Sequence, residues 1–431
     1  MAKTIAGHVS TQVYMPVNAN VLPWFEQRVT EGVRPPSTPA IIVGMRTVIT
    51  AERLWNGSHL IEHPVLTIED EHVSSIAMGR SVVRDENAKV LDFPGATLGA
   101  AFFDVHFHGA AGHDVMEATP DALGIISKFL GSRGTGSFLA TTVTAPLDAT
   151  LKAVSGLAKI VAKDPVPGHA WPTGIHLEGP FLSHAKRGVQ PAAHLLAPDI
   201  KTFDRLYDAA EGHVRLMTLA PELPEAAELT AHATARGVRV SLGHSNATAA
   251  ETQTAIKAGA ASATHTFNAM RALDHREPGI LGTVLTTDSL YAELICDGIH
   301  NTPEMVKLWW RAKGPDRGIL ITDAMSAAGM PDGEYTLGGF AVQVRDGRAM
   351  ADGVLAGSVL TLDRALANFV RFSGATAAQG LQLMTANPAA MTGLAEKAGS
   401  VRIGQRADLV AVDAGGKLVG SILGGKQIAV A

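Results

Sequence analysis

The sequence predicts an α/β protein: a TIM-like (β/α)8 barrel with a small β-sandwich domain built from both chain ends. Three observations lead there. Eight short apolar runs, most followed by helical spacing, fill residues 99–398. β-rich runs lie at both ends of the chain. The length of 431 residues exceeds the ~150 residues of one ordinary domain, yet suits a barrel of about 250 residues or more with a smaller partner.

In chain order, residues 1–39 are irregular and polar around Pro35-Pro36, and read as an N-terminal extension or arm. Residues 40–98 give the first part of the small β domain, in the runs AIIVGMRTVITAERLW, HPVLTIEDEHVSSIAM and AKVLDF. Residues 399–431 give its second part, in GSVRIGQRADLVAVD and KLVGSILGGKQIAVA, so the two ends are expected to meet in space. Between them the strand candidates are AAFFDVHFHG, SFLATTVTAP, TGIHLEGPF, VRLMTLAPE, VRVSLGHSNA, ASATHTFNAM, YAELICDGIH and GILITDAM. Near-continuous apolar runs of this kind suit a parallel sheet covered on both faces. Thr119-Pro120 supplies an N-cap and a first-turn proline for a helix carrying Leu123, Ile126 and Leu130 on one face. Leu151, Val154, Leu157 and Val161 repeat the pattern. Thr302-Pro303 opens a helix with Met305, Leu308 and Trp309, which Gly314 is placed to end. Asp346-Gly347 marks a hairpin turn after the last barrel strand, in a stretch that reads as an excursion beside the pocket.

Composition narrows the function classes. With 46% hydrophobic and 18% charged residues, the chain can bury a large core, which excludes disorder, collagen and coiled coil as its main organisation. The formal charge is −5, from 36 basic and 41 acidic residues, and leaves no basic footprint for nucleic acid. No run of about 18 apolar residues is present, and the start lacks the apolar stretch of a secretory leader. The expectation is therefore a cytoplasmic protein without membrane or nucleic-acid partners. A single cysteine, Cys296, excludes an internal disulfide and a cysteine-built metal cage, and is expected in the core.

Polar residues gather where the strand runs end. His106 and His108 in DVHFHG share one side of their strand, because side chains alternate. Glu178 ends HLEGP, His244 ends SLGH, His265 lies in ATHTFNAM and Asp323 in LITDAM. Singly, each has an ordinary explanation: a helix cap, an ion pair of Glu178 with Lys186 or Arg187, or a satisfied rim histidine. In a barrel, however, all strand C-termini open on one face. Glu178, His244 and His265 would then converge as two imidazoles and a carboxylate with an open fourth position, the ligand set of a catalytic metal site. Imidazole and oxygen ligands admit zinc, iron, manganese or cobalt. Asp323 beside them could accept a proton from water and return it to a leaving group. That constellation describes metal-assisted hydrolysis.

The motifs DVHFHG, HLEGPFLSHAKRG, MTLAPE, GHSNA, THTFNAMRALDHREPG, CDGIH, LITDAM and LAGSVLTLDRAL carry a resemblance to the amidohydrolase superfamily and, within it, to the N-acetylglucosamine-6-phosphate deacetylases. It spans roughly residues 45–431. The resemblance implies hydrolysis of the acetamide of an amino-sugar 6-phosphate, with one or two divalent ions per subunit. Glu178, His244 and His265 would hold the main ion and Asp323 would be general base and then general acid. His106 and His108 match positions where some relatives carry a second-metal pair and others do not. Asn268, Ala269, Arg276 and His300 would contact the substrate. Arg276 in HREPG would reach the phosphate, in the family from the neighbouring subunit of a homodimer.

Three departures stand out. Gln190 in KRGVQP occupies a substrate-binding position that is commonly histidine; an amide donates hydrogen bonds but carries no positive charge. Residues 1–39 have no counterpart at the usual family start. Ala100-Ala101 replaces a common Pro-Gly. The alternatives are deacetylation of N-acetylgalactosamine 6-phosphate, hydrolysis of another amide, and a catalytically silent relative that would have lost a ligand or the aspartate; here all four core positions are filled.

Overall fold

The computed structural model describes residues 46–79 and 88–430; the expected arm over residues 1–39 and the start of the strand run at residue 40 lie outside the described residues. The apolar runs of the middle segment form an eight-stranded sheet in chain order: β1 (Phe102–Phe107), β2 (Thr135–Thr142), β3 (Trp171–Glu178), β4 (Val214–Leu219), β5 (Arg239–Leu242), β6 (Ser262–Ala263), β7 (Tyr291–Ile295) and β8 (Gly318–Ile321). Every pairing along it is parallel. β1 and β2 are buried at every position, as a sheet covered on both faces requires.

Contacts just past the strands close the cylinder. Phe107 bridges Ala324 in parallel fashion. Asp323 N donates to His106 O at 2.9 Å and His108 N to Ala324 O at 2.8 Å. Thr322 Oγ1 donates to Asp104 Oδ2 at 2.6 Å. Burial pushes the Asp104 carboxyl up to about 7, against the hydrogen bonds from Thr322 and His106. The closure therefore joins the segment carrying His106 and His108 to the one carrying Asp323.

Helices cover the outside. Pro120–Ser132 starts from Thr119, whose side chain accepts from Ala122 N, and buries Leu123, Ile126 and Leu130, as their spacing predicts. In Leu147–Val161, Val154, Leu157 and Val161 are buried, with Leu151 packed at the margin of the core. Pro303–Arg317 begins at the expected Thr302-Pro303, but its inward face is Val306, Trp309 and Lys313; Leu308 is 43% exposed. The difference comes from Lys313, whose Nζ donates to Val284 O at 3.0 Å and Thr287 O at 2.8 Å. A lysine thus continues a buried stripe that apolar spacing alone does not reveal. Gly314 breaks the helical conformation at φ 60°, ψ −167°. Cys296 is fully buried. No helix among the described residues is long and apolar enough to cross a membrane.

Strands from both ends of the described chain share a second sheet. Its order is Lys426–Ile428, Leu418–Leu423, Leu409–Val412, Lys89–Ala100, Arg46–Trp55, Pro64–Glu69 and His72–Met78, with Leu60–Glu62 paired to Arg46–Trp55. Leu409–Val412 lies antiparallel to the end of Lys89–Ala100, the strand that leads into β1. The sheet has its own core, including Ile49, Leu54, Leu66, Leu98, Leu409 and Ile422.

After β8 the chain makes a four-stranded antiparallel meander: Gly333–Leu337, Phe340–Arg345, Arg348–Ala351 and Val354–Leu355. Asp346 and Gly347 form the turn where Arg345 pairs with Arg348. Both have positive φ, 50° and 71°, which matches the twist of a two-residue hairpin. Its small core joins Leu337, Val342 and Val344 to Val143 and Met325 of the barrel mouth. The turn after Leu337 is pinned by Asp114, which accepts from Gly338 N at 2.7 Å and Met116 N at 2.8 Å. Replacing Asp114 by Ala removes the acceptor from both partly buried donors. A loss of about 1 kcal/mol in stability is expected, read by denaturant unfolding; an unchanged midpoint would refute the anchoring role.

Candidate metal centre and its cavity

β3 ends on Glu178. Alternation puts His176 and Glu178 on one side of the strand, and both are buried. His106 and His108 leave β1 the same way, also buried. His244, His265 and Asp323 follow β5, β6 and β8. Each adopts positive φ, 47°, 27° and 50°, a region uncommon for a residue with a β-carbon.

These side chains meet at Glu178. Its Oε1 lies 3.1 Å from His244 Nε2, 3.2 Å from His265 Nε2 and 3.3 Å from His106 Nε2. Its Oε2 lies 3.3 Å from His108 Nε2. The Nε2 atoms of His244 and His265 are 3.1 Å apart. The opposite ring nitrogens show where the hydrogens sit. His244 Nδ1 is 3.0 Å from Lys186 O, His108 Nδ1 is 3.0 Å from Thr141 O, and His106 Nδ1 is 3.3 Å from Glu293 Oε2. Carbonyl and carboxylate oxygens only accept, so these Nδ1 atoms donate. In the neutral rings the Nε2 lone pairs then face Glu178, the orientation a metal-binding imidazole needs. His106 Nε2 is buried without a hydrogen-bond partner.

Lone pairs aimed at a carboxylate from about 3 Å repel unless a cation or a proton lies between them. The donor set fits a divalent cation. Two groups have the necessary convergence: His106, His108 and Glu178, and Glu178, His244 and His265, the donor atoms of each lying within 4.8 Å of one another. Glu178 belongs to both. Without a cation, protons hold the cluster together. Burial disfavours charge on the imidazoles, but Glu178 and Asp323 overcome it, holding His106 well above the usual imidazole range and His108 at about 9. Burial likewise opposes ionisation of Glu178, yet the surrounding rings, His106 foremost, keep it well below the usual carboxylate range.

Asp323 stands beside the cluster, with Oδ1 3.1 Å from His108 Nε2 and 3.6 Å from His106 Nε2. Against the effect of burial, the charge of His106 and a hydrogen bond from His108 hold it ionised below its usual range. An ionised carboxylate is a proton acceptor.

A cavity of about 430 Å³ opens over these groups, and Gln190, Asn268, Ala269 and His300 line it as well. Gln190 is buried, and its amide meets Thr144 N and Glu178 Oε2, each at 2.8 Å. Asn268 Nδ2 donates to His265 O at 3.3 Å. His300 Nδ1 donates to Asp297 Oδ2 at 2.7 Å, which fixes the ring. Leu337, Met350 and Val354 of the meander give the cavity an apolar wall. Arg276 is placed differently. It is exposed on the loop before Gly279–Thr286 and is not among the lining residues. Among the described residues lining the cavity there is no lysine or arginine.

Two buried polar residues at the cluster escaped the sequence reading. Glu293 of β7 accepts from His106 Nδ1 and from His265 N, both at 3.3 Å. His176 contacts Thr218 Oγ1 at 2.8 Å, beginning a chain through Thr264 to Ser241. Burial, then the charge of His106, holds His176 well below the usual imidazole range, so it packs as a neutral ring. The available signal was a charged or imidazole residue inside an otherwise apolar strand: Glu293 in YAELI and His176 in TGIHLE.

The amidohydrolase family model matches residues 97–428. The chain is 38% identical over 372 residues to an N-acetylgalactosamine-6-phosphate deacetylase of Escherichia coli O157:H7, covering 86% of this chain and 96% of that protein. It is 36% identical over 359 residues to an N-acetylglucosamine-6-phosphate deacetylase of Bacillus subtilis (strain 168), covering 82% and 90%. The crystal structure of N-acetyl-D-glucosamine-6-phosphate deacetylase from Mycobacterium smegmatis superposes with a TM-score of 0.82 at 33% identity, covering 89% of this chain and all of that one. The sequence match runs through every strand end that delivers a side chain to the cluster, and the chain belongs to the amidohydrolase family.

Proposed function

We propose that this chain is an N-acetylglucosamine-6-phosphate deacetylase, a hydrolase that cleaves a linear amide to give glucosamine 6-phosphate and acetate. The observation that carries the reading is the convergence of Glu178, His244 and His265 beside an ionised Asp323 at the floor of one cavity. The relatives' substrates supply the specificity.

Glu178, His244 and His265 hold the principal ion in this reading, and Glu178 with His106 and His108 holds a second. Zinc, iron, manganese and cobalt all suit these donors. When bound, a divalent cation supplies Lewis acidity, lowering the pKa of water and stabilising negative charge on the acetamide oxygen. Asp323 takes the proton of the attacking water and delivers it to the departing amine nitrogen. Leu337, Met350 and Val354 shield the reacting end from bulk water. Asn268, Ala269 and His300 contact the sugar phosphate, and Gln190 lies beside them with both ends of its amide engaged by the protein. The cavity has no lysine or arginine among its described lining residues, and Arg276 is exposed beside an apolar groove lined by Leu273, Pro278 and Leu285. Both features suit a homodimer in which Arg276 of one copy serves the other's substrate. A reducing, cytoplasmic setting completes the proposal. Deacetylation of N-acetylgalactosamine 6-phosphate is the second reading, favoured by the Escherichia coli relative.

The direct test measures metal content together with acetate release from both sugar phosphates and their unphosphorylated forms. Metal-loaded protein that releases acetate from none of them would overturn the assignment. Asp323→Asn should lower kcat by roughly 10²–10⁴-fold, the usual worth of a general acid–base group, while metal content stays at the wild-type level. Arg276→Ala should cost roughly 10–100-fold in kcat/KM on the phosphorylated sugar, the worth of a charge-assisted hydrogen bond, and little on the unphosphorylated amide. Equal losses on both would speak against phosphate binding. Metal uptake by stripped protein should release protons, because the rings must be neutral to bind. With His108 protonated up to about 9 in the metal-free protein, affinity should climb as pH is raised from 6 toward 9. Calorimetry in buffers of different ionisation enthalpy reads this directly, and pH-independent binding would contradict it.

A further inference from the structure

Gln190 lines the substrate cavity, yet both ends of its amide are already engaged by the protein. Thr144 N donates to its Oε1 at 2.8 Å, and its Nε2 donates to Glu178 Oε2 at 2.8 Å. The residue is 4% exposed. A main-chain N–H needs an acceptor, so the Thr144 contact fixes the amide oxygen at that end and turns the NH2 group toward Glu178. The amide has one orientation.

Glu178, by contrast, has a soft final torsion, since rotation about a terminal carboxylate bond meets a broad, two-fold well. Its two oxygens divide four imidazole nitrogens between them: His244, His265 and His106 face Oε1, and His108 faces Oε2. Rotation would redistribute every one of those contacts. The hydrogen bond from Gln190 to Oε2 is the shortest contact at that oxygen and selects one rotation. Its other end rests on a rigid neighbour. Gly179, directly after Glu178, has φ +96°, and a β-carbon there would collide with the Thr144 side chain. The main chain past β2 and the end of β3 are thus pressed together, with the Gln190 amide spanning from one to the other.

We infer that Gln190 is a positioning residue for the metal centre: a neutral strut from Thr144 that locks the carboxylate of Glu178, and acts on the ion through that carboxylate. The inference rests on the metal-centre part of the proposed function and does not depend on which sugar phosphate is the substrate.

The test uses full-length protein stripped of metal and titrated with Co²⁺, with affinity read by chelator competition and coordination read from the visible spectrum. Gln190→Met keeps the volume and removes both hydrogen bonds. Gln190→Asn keeps an amide in the cavity but is one methylene too short to span Thr144 and Glu178. Both should bind Co²⁺ roughly 10–100-fold more weakly, the usual effect of removing a partner that orients a ligand, with an altered spectrum. Gln190→His, which retains one donor and one acceptor, should recover most of the affinity. Thermal unfolding of the metal-free proteins separates this from misfolding, and the Asn variant keeps the test open should the Met variant fail to fold. Wild-type Co²⁺ affinity and spectrum in the Asn and Met variants, with only KM raised, would overturn the inference and leave Gln190 a substrate contact. Weakened Co²⁺ binding alongside wild-type protein that deacetylates neither sugar phosphate would uphold the strut and sink the substrate assignment.

Discussion

The architecture of this protein turns on one buried carboxylate. Glu178 sits 3% exposed with imidazole nitrogens of four histidines between 3.1 and 3.3 Å away. A charge removed from water to that degree is costly unless it is paired and hydrogen-bonded. Neutral imidazoles with lone pairs facing it make matters worse. Two arrangements relieve the conflict: protons on some of the rings, or a cation among them. The same donors serve either, and this is why the cluster is both a folding constraint and a candidate metal site. The outer nitrogens of His106, His108 and His244 are tied to acceptors, so the rings cannot turn their lone pairs elsewhere.

The barrel makes such a convergence possible. Each of these side chains comes from a different part of the chain, and parallel strands bring all their C-terminal ends to one rim. The closure between β1 and β8 matters most, because it sets His106 and His108 against Asp323. Asp104, Thr322 and the main-chain bonds from Asp323 and His108 fasten that seam. Beneath the cluster a polar layer of Glu293, His176, Thr218 and Thr264 replaces the apolar filling of an ordinary barrel interior. The layer holds the rings from below while the meander covers them from above.

Much of this was legible in the sequence, for identifiable reasons. Most of the strands stood out because burial on both faces favours near-continuous apolar runs. Glu178, His244, His265 and Asp323 stood out because each follows such a run at a strand end. The supporting residues did not. Glu293 pairs with His106 across 187 positions, and nothing local to YAELI says that its acid has an imidazole partner. The inward stripe of Pro303–Arg317 was hidden because Lys313 is buried through hydrogen bonds to carbonyls, a role invisible to hydrophobic spacing.

The backbone at the rim shows what the convergence costs. His244, His265 and Asp323 all leave their strands through positive φ, as do Phe267 and Ala269 just beyond. Residues held in such sparsely populated conformations cost about 1–3 kcal/mol each and persist only where the surroundings over-determine them. Here the surroundings do so from both sides. Ser245 N donates to Ala269 O, and Arg271 N to Ser245 O, at 3.0 and 2.9 Å, binding the loops after β5 and β6 together. Ser358 N donates to Asp323 O at 2.7 Å, holding the third. The strain therefore falls where a side chain must leave a strand and aim at a common point. A chain relaxed at those three positions would carry the three side chains along the strand direction and past the cluster.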